Sequence, residues 1–359
     1  MVMLPLPNRK WILFFLALLL LLGSCTQPTP TRTPVISPTI TPTTDWYSVY
    51  FTDPTGPSAE YFEGGPDVAL ANAIDQARLS VDVAIYDLDL SSVRAALLCA
   101  HQRGVTVRMV VESTNLDETE IQALKDAGIP ILGDRREGYM HNKFAVIDRL
   151  EVWTGSMNYT ANDAYRNDND LIRIRSSKLA EDYTTEFNEM FVNDLFGPDY
   201  RAATPYTNLV INGTSLEIYF SPDDHVAKRI VELIKGADES VYFMAFSFTS
   251  NSIASAMLER FRAGVTVAGV FEESQVISNV GTEYENLLNA GAAVRLDGNP
   301  RNMHNKIIII DQKTVITGSY NFSSNAEYDN DENVVIIHNA DIAALYMQEF
   351  QKVYERAKE

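Results

Sequence analysis

The sequence predicts an α/β protein made of two copies of one lobe, and three observations carry the prediction. First, a motif is written twice: His141-Asn142-Lys143, Asp148 and Gly155-Ser156-Met157-Asn158, then His304-Asn305-Lys306, Asp311 and Gly318-Ser319-Tyr320-Asn321, 163 residues later with every internal spacing kept. Second, the repeat extends beyond the motif. Ser80-Val81 is echoed by Ser240-Val241, Gly104 to Val107 by Gly264 to Val267, Ala127-Gly128 by Ala290-Gly291, and Tyr61-Phe62 by Tyr219-Phe220, at offsets drifting only from 158 to 163. Third, short runs rich in Val and Ile alternate with stretches of helical spacing. That alternation is the pattern of an α/β sandwich with a largely parallel core.

In the first copy, residues 81–86 and 105–111 read as buried strands, being apolar, β-branched and bounded by Gly or polar residues. Between them Ser91 to Gln102 has helical spacing with Gly104 as its stop, and Asp117 to Ala127 reads as a helix ended by Gly128 and Pro130. Strands follow at 143–147 and 171–174, then a long helix from Leu179 to Phe196. The second copy keeps the order: strand 241–246, helix 252–262, strand 265–271, helix 283–290, strands 306–310 and 333–337, helix 340–355. Ile307 to Ile310 is apolar without alternation, as expected of a strand covered on both faces.

The amino terminus points to export. Arg9 and Lys10 precede twelve apolar residues, Trp11 to Leu22. That run is short of the roughly 20 a membrane span needs and fits the apolar region of a secretory signal. It ends in Leu22-Gly23-Ser24-Cys25, which resembles the bacterial lipoprotein cleavage box, with Cys25 as the lipidated first residue of the mature chain. From Thr26 to Thr44, 13 of 19 residues are Thr or Pro, a composition that buries little apolar area and serves as an extended tether. The expected organisation is a signal over 1–24, a tether over 25–45, one lobe over 46–205 and a second over 206–359. The implied location is extracytoplasmic, on a membrane surface.

The chain carries a net charge of −19, and loss of a leader holding Arg9 and Lys10 takes it to −21. A field of that sign repels polyanions, and proteins that hold nucleic acid usually show a basic footprint. DNA is therefore disfavoured as the main substrate.

The motif residues form a set that suits a phosphodiester. On a strand, positions i and i+2 share a face, so His141 with Lys143, and His304 with Lys306, each present an imidazole beside an ammonium. Lys143, Lys306, Asn158 and Asn321 donate to anionic oxygens, Ser156 and Ser319 add hydroxyls, and Gly155 and Gly318 allow close backbone approach. One site built from both copies would hold two imidazoles. One attacks phosphorus, while the other protonates the leaving alkoxide and then activates water. A lysine beside each histidine repels cations, so neither a catalytic metal nor another cofactor is expected. Asp148 and Asp311, seven residues past each histidine, are candidates either for catalysis or for bonding turn groups at the strand ends.

The doubled His-x-Lys-x4-Asp-x6-Gly-Ser-x-Asn resembles the signature of the phospholipase D superfamily, over roughly residues 46–359. The resemblance implies two pseudo-twofold related α/β lobes with one active site at their interface. It also implies metal-independent cleavage through a phosphohistidine, with alcohol exchange in some members. By the same resemblance His141 is the nucleophile and His304 the general acid. The family often carries an acid about ten residues beyond Gly-Ser-x-Asn that orients the histidine of its own motif. Glu332 fits that place in the second copy, whereas the aligned residue of the first is Asn169. The expectation is thus that Glu332 pairs with His304 and holds it protonated. The function expected is a phospholipase D acting on membrane glycerophospholipids, the alternative an extracytoplasmic nuclease or general phosphodiesterase. With both motifs in one chain, a monomer suffices to complete the site.

Overall fold

The computed structural model describes residues 45–199 and 203–358; the leader, Cys25 and the Thr/Pro-rich stretch lie outside the described residues. A first sheet contains β1 (Tyr47–Phe51), β2 (Ser80–Ile85), β3 (Thr106–Val111), β4 (Ile131–Gly133), β5 (Lys143–Ile147), β6 (Glu151–Gly155) and β7 (Asp170–Arg175), in the order β1-β7-β6-β5-β2-β3-β4. A second contains β8 (Asn208–Ile211), β9 (Thr214–Ser221), β10 (Ser240–Ala245), β11 (Thr266–Phe271), β12 (Ala293–Leu296), β13 (Lys306–Ile310), β14 (Thr314–Gly318) and β15 (Glu332–His338). Its order, β12-β11-β10-β13-β14-β15-β9-β8, repeats that of the first sheet with one strand added at the edge.

The sheets are mixed, which corrects the expectation of a largely parallel core. Only β2-β3-β4 and β10-β11-β12 run parallel; the remaining neighbours are antiparallel. The cause is local. Asp148-Arg149 and Asp311-Gln312 all have φ between 51° and 54°. Two successive left-handed residues make a tight hairpin turn that reverses the chain, so β5 must return as β6, and β13 as β14. The register also corrects one sequence echo. Leu171 opposes Tyr50 and Val334 opposes Tyr219, so Tyr50-Phe51, not Tyr61-Phe62, is the counterpart of Tyr219-Phe220.

Among the described residues three apolar clusters form the core. Two are satellite cores, one per lobe, in which helices pack on the outer sheet face: Leu70, Leu97, Val83 and Trp153 in the first, Ile230, Met257, Phe243 and Ile316 in the second. The third draws on both lobes at once. It combines Phe144, Ile172 and Ile174 with Ile307, Ile309 and Val335, and adds Tyr183 and Phe187 of helix Ser177–Phe191 and Tyr346 and Phe350 of helix Ala340–Arg356. This shared core fixes the two sheets against each other and so brings the amino ends of β5 and β13 to a common place. Among the described residues no helix is long and apolar enough to cross a membrane.

Candidate active site

The segments carrying the histidines are zipped to the opposite lobe by backbone hydrogen bonds. Met140 bridges Asp331 and Met303 bridges Asp168, both in parallel. The His141 N–H donates to the Asp331 carbonyl at 3.0 Å, and the His304 N–H to the Asp168 carbonyl at 2.9 Å. Each histidine therefore sits beside the acidic segment of the other lobe, and its ring finds its partner there. Nδ1 of His141 lies 2.8 Å from Glu332 Oε2, and Nδ1 of His304 lies 2.9 Å from Asn169 Oδ1. The expected pairing of Glu332 with His304 is therefore wrong: the acid serves the imidazole across the interface, because the cross-lobe zipper sets each histidine beside the opposite lobe's residue at that position.

An acceptor at Nδ1 places the proton there and leaves Nε2 with its lone pair free. The other face of the site is built from the Gly-Ser-x-Asn turns. The Ser319 backbone approaches the His141 ring and the Ser156 backbone the His304 ring, so each imidazole also meets the opposite lobe's turn. Gly155 and Gly318 let these turns close. A Cβ on Gly155 would stand 2.3 Å from the Asp170 carbonyl oxygen, and one on Gly318 2.2 Å from that of Asn333.

Lys143 and Lys306 are 0% and 2% exposed. Their ammonium groups donate back to the His141 and His304 carbonyls at 2.9 and 2.8 Å, and sit 5.2 Å from the Tyr86 ring and 4.7 Å from the Phe246 ring. Those aromatics also meet the imidazoles edge-on, Tyr86 against His141 and Phe246 against His304. Burial of so many bases together suppresses their charge. Burial, then Lys143 and Lys306, holds His141 well below its ordinary value; burial, then Lys306, Lys143 and His141, does the same to His304. Lys143 falls to about 8 through burial, against the pull of Glu332, Asp163 and Asp87, and Lys306 is depressed by burial and by Lys143. Burial raises Glu332 to about 7, opposed by Lys143 and by hydrogen bonds from Ser319 and Asn330. A bound anion would reverse the suppression of the bases, since opposite charge favours the protonated forms.

Not every candidate belongs to this cluster. Asp148 and Asp311 stand at the far ends of β5 and β13. Asp148 accepts backbone N–H bonds from Arg78, Leu79 and Ser80, and Asp311 from Asp238, Glu239 and Ser240. Although burial raises it, these N–H groups hold Asp311 below the usual carboxylate range. At about 3.3 Å per strand residue, the five-residue strands separate both acids from the imidazoles, which corrects their candidacy as catalytic groups. Ser156 and Ser319 are fully buried, and their hydroxyls bind inward: Ser156 Oγ to Asn169 Oδ1 at 2.9 Å, Ser319 Oγ to the Asn333 N–H at 3.0 Å. They hold the partners of the histidines instead of offering free hydroxyls to a phosphate. Asn158 and Asn321 end the two Gly-Ser-x-Asn turns, and their buried side-chain amide oxygens lack a hydrogen-bond partner among the described residues.

Three site residues escaped the sequence reading: Tyr86, Phe246 and Asp163. Tyr86 and Phe246 fall six residues after Ser80 and Ser240, so the echo at those serines pointed to them. Asp163, whose carboxylate lies 3.7 Å from His304 Nδ1, has alanine as its repeat counterpart and left no such trace.

Comparison with known proteins shows the family and the fold. The family described as "Cardiolipin synthase, PLD-like domain" matches twice, over residues 70–191 and 230–354, well over half of the chain. A phospholipase D of Rickettsia prowazekii is 34% identical over 143 residues, 40% of this chain and 69% of that protein. A mitochondrial cardiolipin hydrolase of Xenopus laevis is 33% identical over 132 residues, 37% of this chain and 62% of that protein. The fold as a whole is matched by the crystal structure of a phosphatidylserine synthase from Haemophilus influenzae, with a TM-score of 0.65 and 14% identity, covering 86% of this chain and 87% of that one.

Proposed function

Because the chain belongs to the phospholipase D-like family described as cardiolipin synthase, PLD-like domain, we propose that it is a phosphodiesterase of the phospholipase D type acting on membrane glycerophospholipids. The observation that carries this reading is the pair of imidazoles, each bonded through Nδ1 to a residue of the opposite lobe, with two buried lysines beside them. His141, neutral and aligned by Glu332, attacks phosphorus through Nε2. The bond from phosphorus to the leaving oxygen breaks, and His304 gives that oxygen its proton. Water then attacks the phosphohistidine, His304 takes the water's proton, and the bond from phosphorus to His141 breaks. An alcohol in place of water would give transfer instead of hydrolysis. Lys143, Lys306, Asn158 and Asn321 hold the phosphate oxygens as charge builds on them.

The relatives named above support lipid over nucleic acid, as does the net charge of −19. Lipidation at Cys25, with the Thr/Pro-rich stretch as a tether, places the enzyme on the outer side of a bacterial membrane within reach of lipid head groups. A chelator-treated sample of the full chain, given phosphatidylcholine, phosphatidylethanolamine, cardiolipin and single-stranded DNA, tests the reading. Release of head group or phosphatidate is the expected result; cleavage of DNA with no lipid turnover would replace it with the nuclease alternative.

A further inference from the structure

The two halves of the site are not equivalent, and one difference lies in the partners of the imidazoles. Glu332, a carboxylate, takes His141; Asn169, its repeat counterpart 163 residues earlier, takes His304 with a neutral amide oxygen. The amide is locked in that orientation. Its Oδ1 also accepts from Ser156 Oγ at 2.9 Å, and its Nδ2 donates to the Asp163 carbonyl at 3.0 Å.

A second exchange accompanies the first. Helices Ala161–Tyr165 and Ser324–Tyr328 are repeat counterparts, and Thr160 and Ser323 cap them by accepting the N–H of Asp163 and Ala326 respectively. Asp163 therefore occupies the place of an alanine. Its carboxylate lies 3.7 Å from His304 Nδ1, beyond hydrogen-bond reach, and instead accepts from the Asn158 N–H and the Asn167 side chain. Around His304, hydrogen bonding and negative charge are thus supplied by two different residues, where Glu332 alone supplies both to His141.

We propose that Asn169 is a positioning residue that makes His304 a stronger acid and a weaker base than a glutamate there would, so that the phosphoenzyme forms readily and is resolved slowly. The inference rests on the role assignment above, in which His141 attacks and His304 moves the proton. An imidazolium that donates Nδ1–H to an amide is less stabilised than one that donates to a carboxylate. It yields its Nε2 proton to the leaving oxygen more easily in the first step. In the second step the same ring, now neutral, takes a proton from water less easily. Asp163, held off the ring at 3.7 Å, offsets part of this by favouring the charged ring once a substrate anion is bound.

The test is to copy the second lobe's arrangement into the first with the double variant Asp163→Ala/Asn169→Glu in the full-length enzyme. Its readouts are the pH profile of kcat/KM and the burst of leaving group in the first turnover. The alkaline limb, set by the acid that must be protonated, should move up by about one pH unit, and the burst amplitude should shrink. Asp163→Asn alone should move the limb the other way, and decides the matter if the double variant does not fold. A limb and burst unchanged in folded variants would overturn the proposal. Label trapped by an alkaline quench on His304 instead of His141 would overturn the role assignment beneath it, a failure distinct from an unmoved limb with label on His141.

Discussion

Glu332 belongs to the second lobe, yet its carboxylate is bound to His141 of the first, Oε2 to Nδ1 at 2.8 Å. The contact crosses the interface, so neither lobe alone carries an aligned imidazole. Glu332 is itself 0% exposed and held by Asn330 Nδ2 at 3.2 Å. Replacing Glu332 with Gln keeps the shape but allows an N–H to face Nδ1, which moves the ring proton to Nε2 and blocks attack. A fall in kcat/KM of about 10²- to 10⁴-fold is expected, with little change in KM. A loss under tenfold would mean that the carboxylate does not set the tautomer.

Lys306 is buried beside a second lysine, which stabilises the folded state poorly until an anion arrives. Lys306→Met should therefore raise the thermal midpoint of the ligand-free protein while lowering kcat/KM about 10²- to 10³-fold, the usual loss for one donor to a transition-state oxyanion. Orthovanadate should raise the midpoint of the parent protein and leave that of the variant nearly unmoved, as binding to the folded state requires. An equal rise in both proteins would remove Lys306 from the phosphate site.

Asp148 and Asp311 bind three backbone N–H groups each at the end of their strands. Asp148→Ala or Asp311→Ala should cost about 1–2 kcal/mol in unfolding free energy, read by denaturant titration, with kcat/KM of the folded fraction within about twofold of the parent. Loss of activity at unchanged stability would return these residues to the catalytic set.

Burial raises Asp182, Asp331, Glu332 and Glu349 each to about 7. A carboxyl with a raised folded value binds more protons folded than unfolded between about pH 4 and its folded value, so stability falls as pH rises across that window. The two depressed histidines act oppositely below about 6.5, and the depressed Lys143 and Lys306 do so above their folded values, but the raised acids outnumber them in this window. The thermal midpoint should be higher at pH 5 than at pH 8. The reverse order would show that these acids are ionised in the folded protein at neutral pH.

Much of this was legible in the chain because repetition exposes function. The paired motifs, the helices at Ser91–Gln102 and Asn251–Arg262, and the apolar strand Lys306–Ile310 stand where periodicity put them. Strands β6 and β14 were missed because Asp148-Arg149 and Asp311-Gln312 turn in a conformation usually marked by Asn-Gly, and neither pair carries a glycine. The crossed pairing of Glu332 was illegible for a different reason. Spacing along the chain says which residues share a strand end, but the partner of His141 is set by how two sheets meet over a common core of Phe144, Ile307 and Tyr346, and no local pattern records that.

The most direct measurement of the central claim, one phosphorus held between two imidazoles from opposite lobes, is alkali-quenched trapping with a phosphate-labelled substrate. The account predicts label on His141, absent in His141→Ala, and increased in His304→Ala when the leaving group needs no proton. Turnover by His141→Ala, or label on a residue outside the pair, would contradict it.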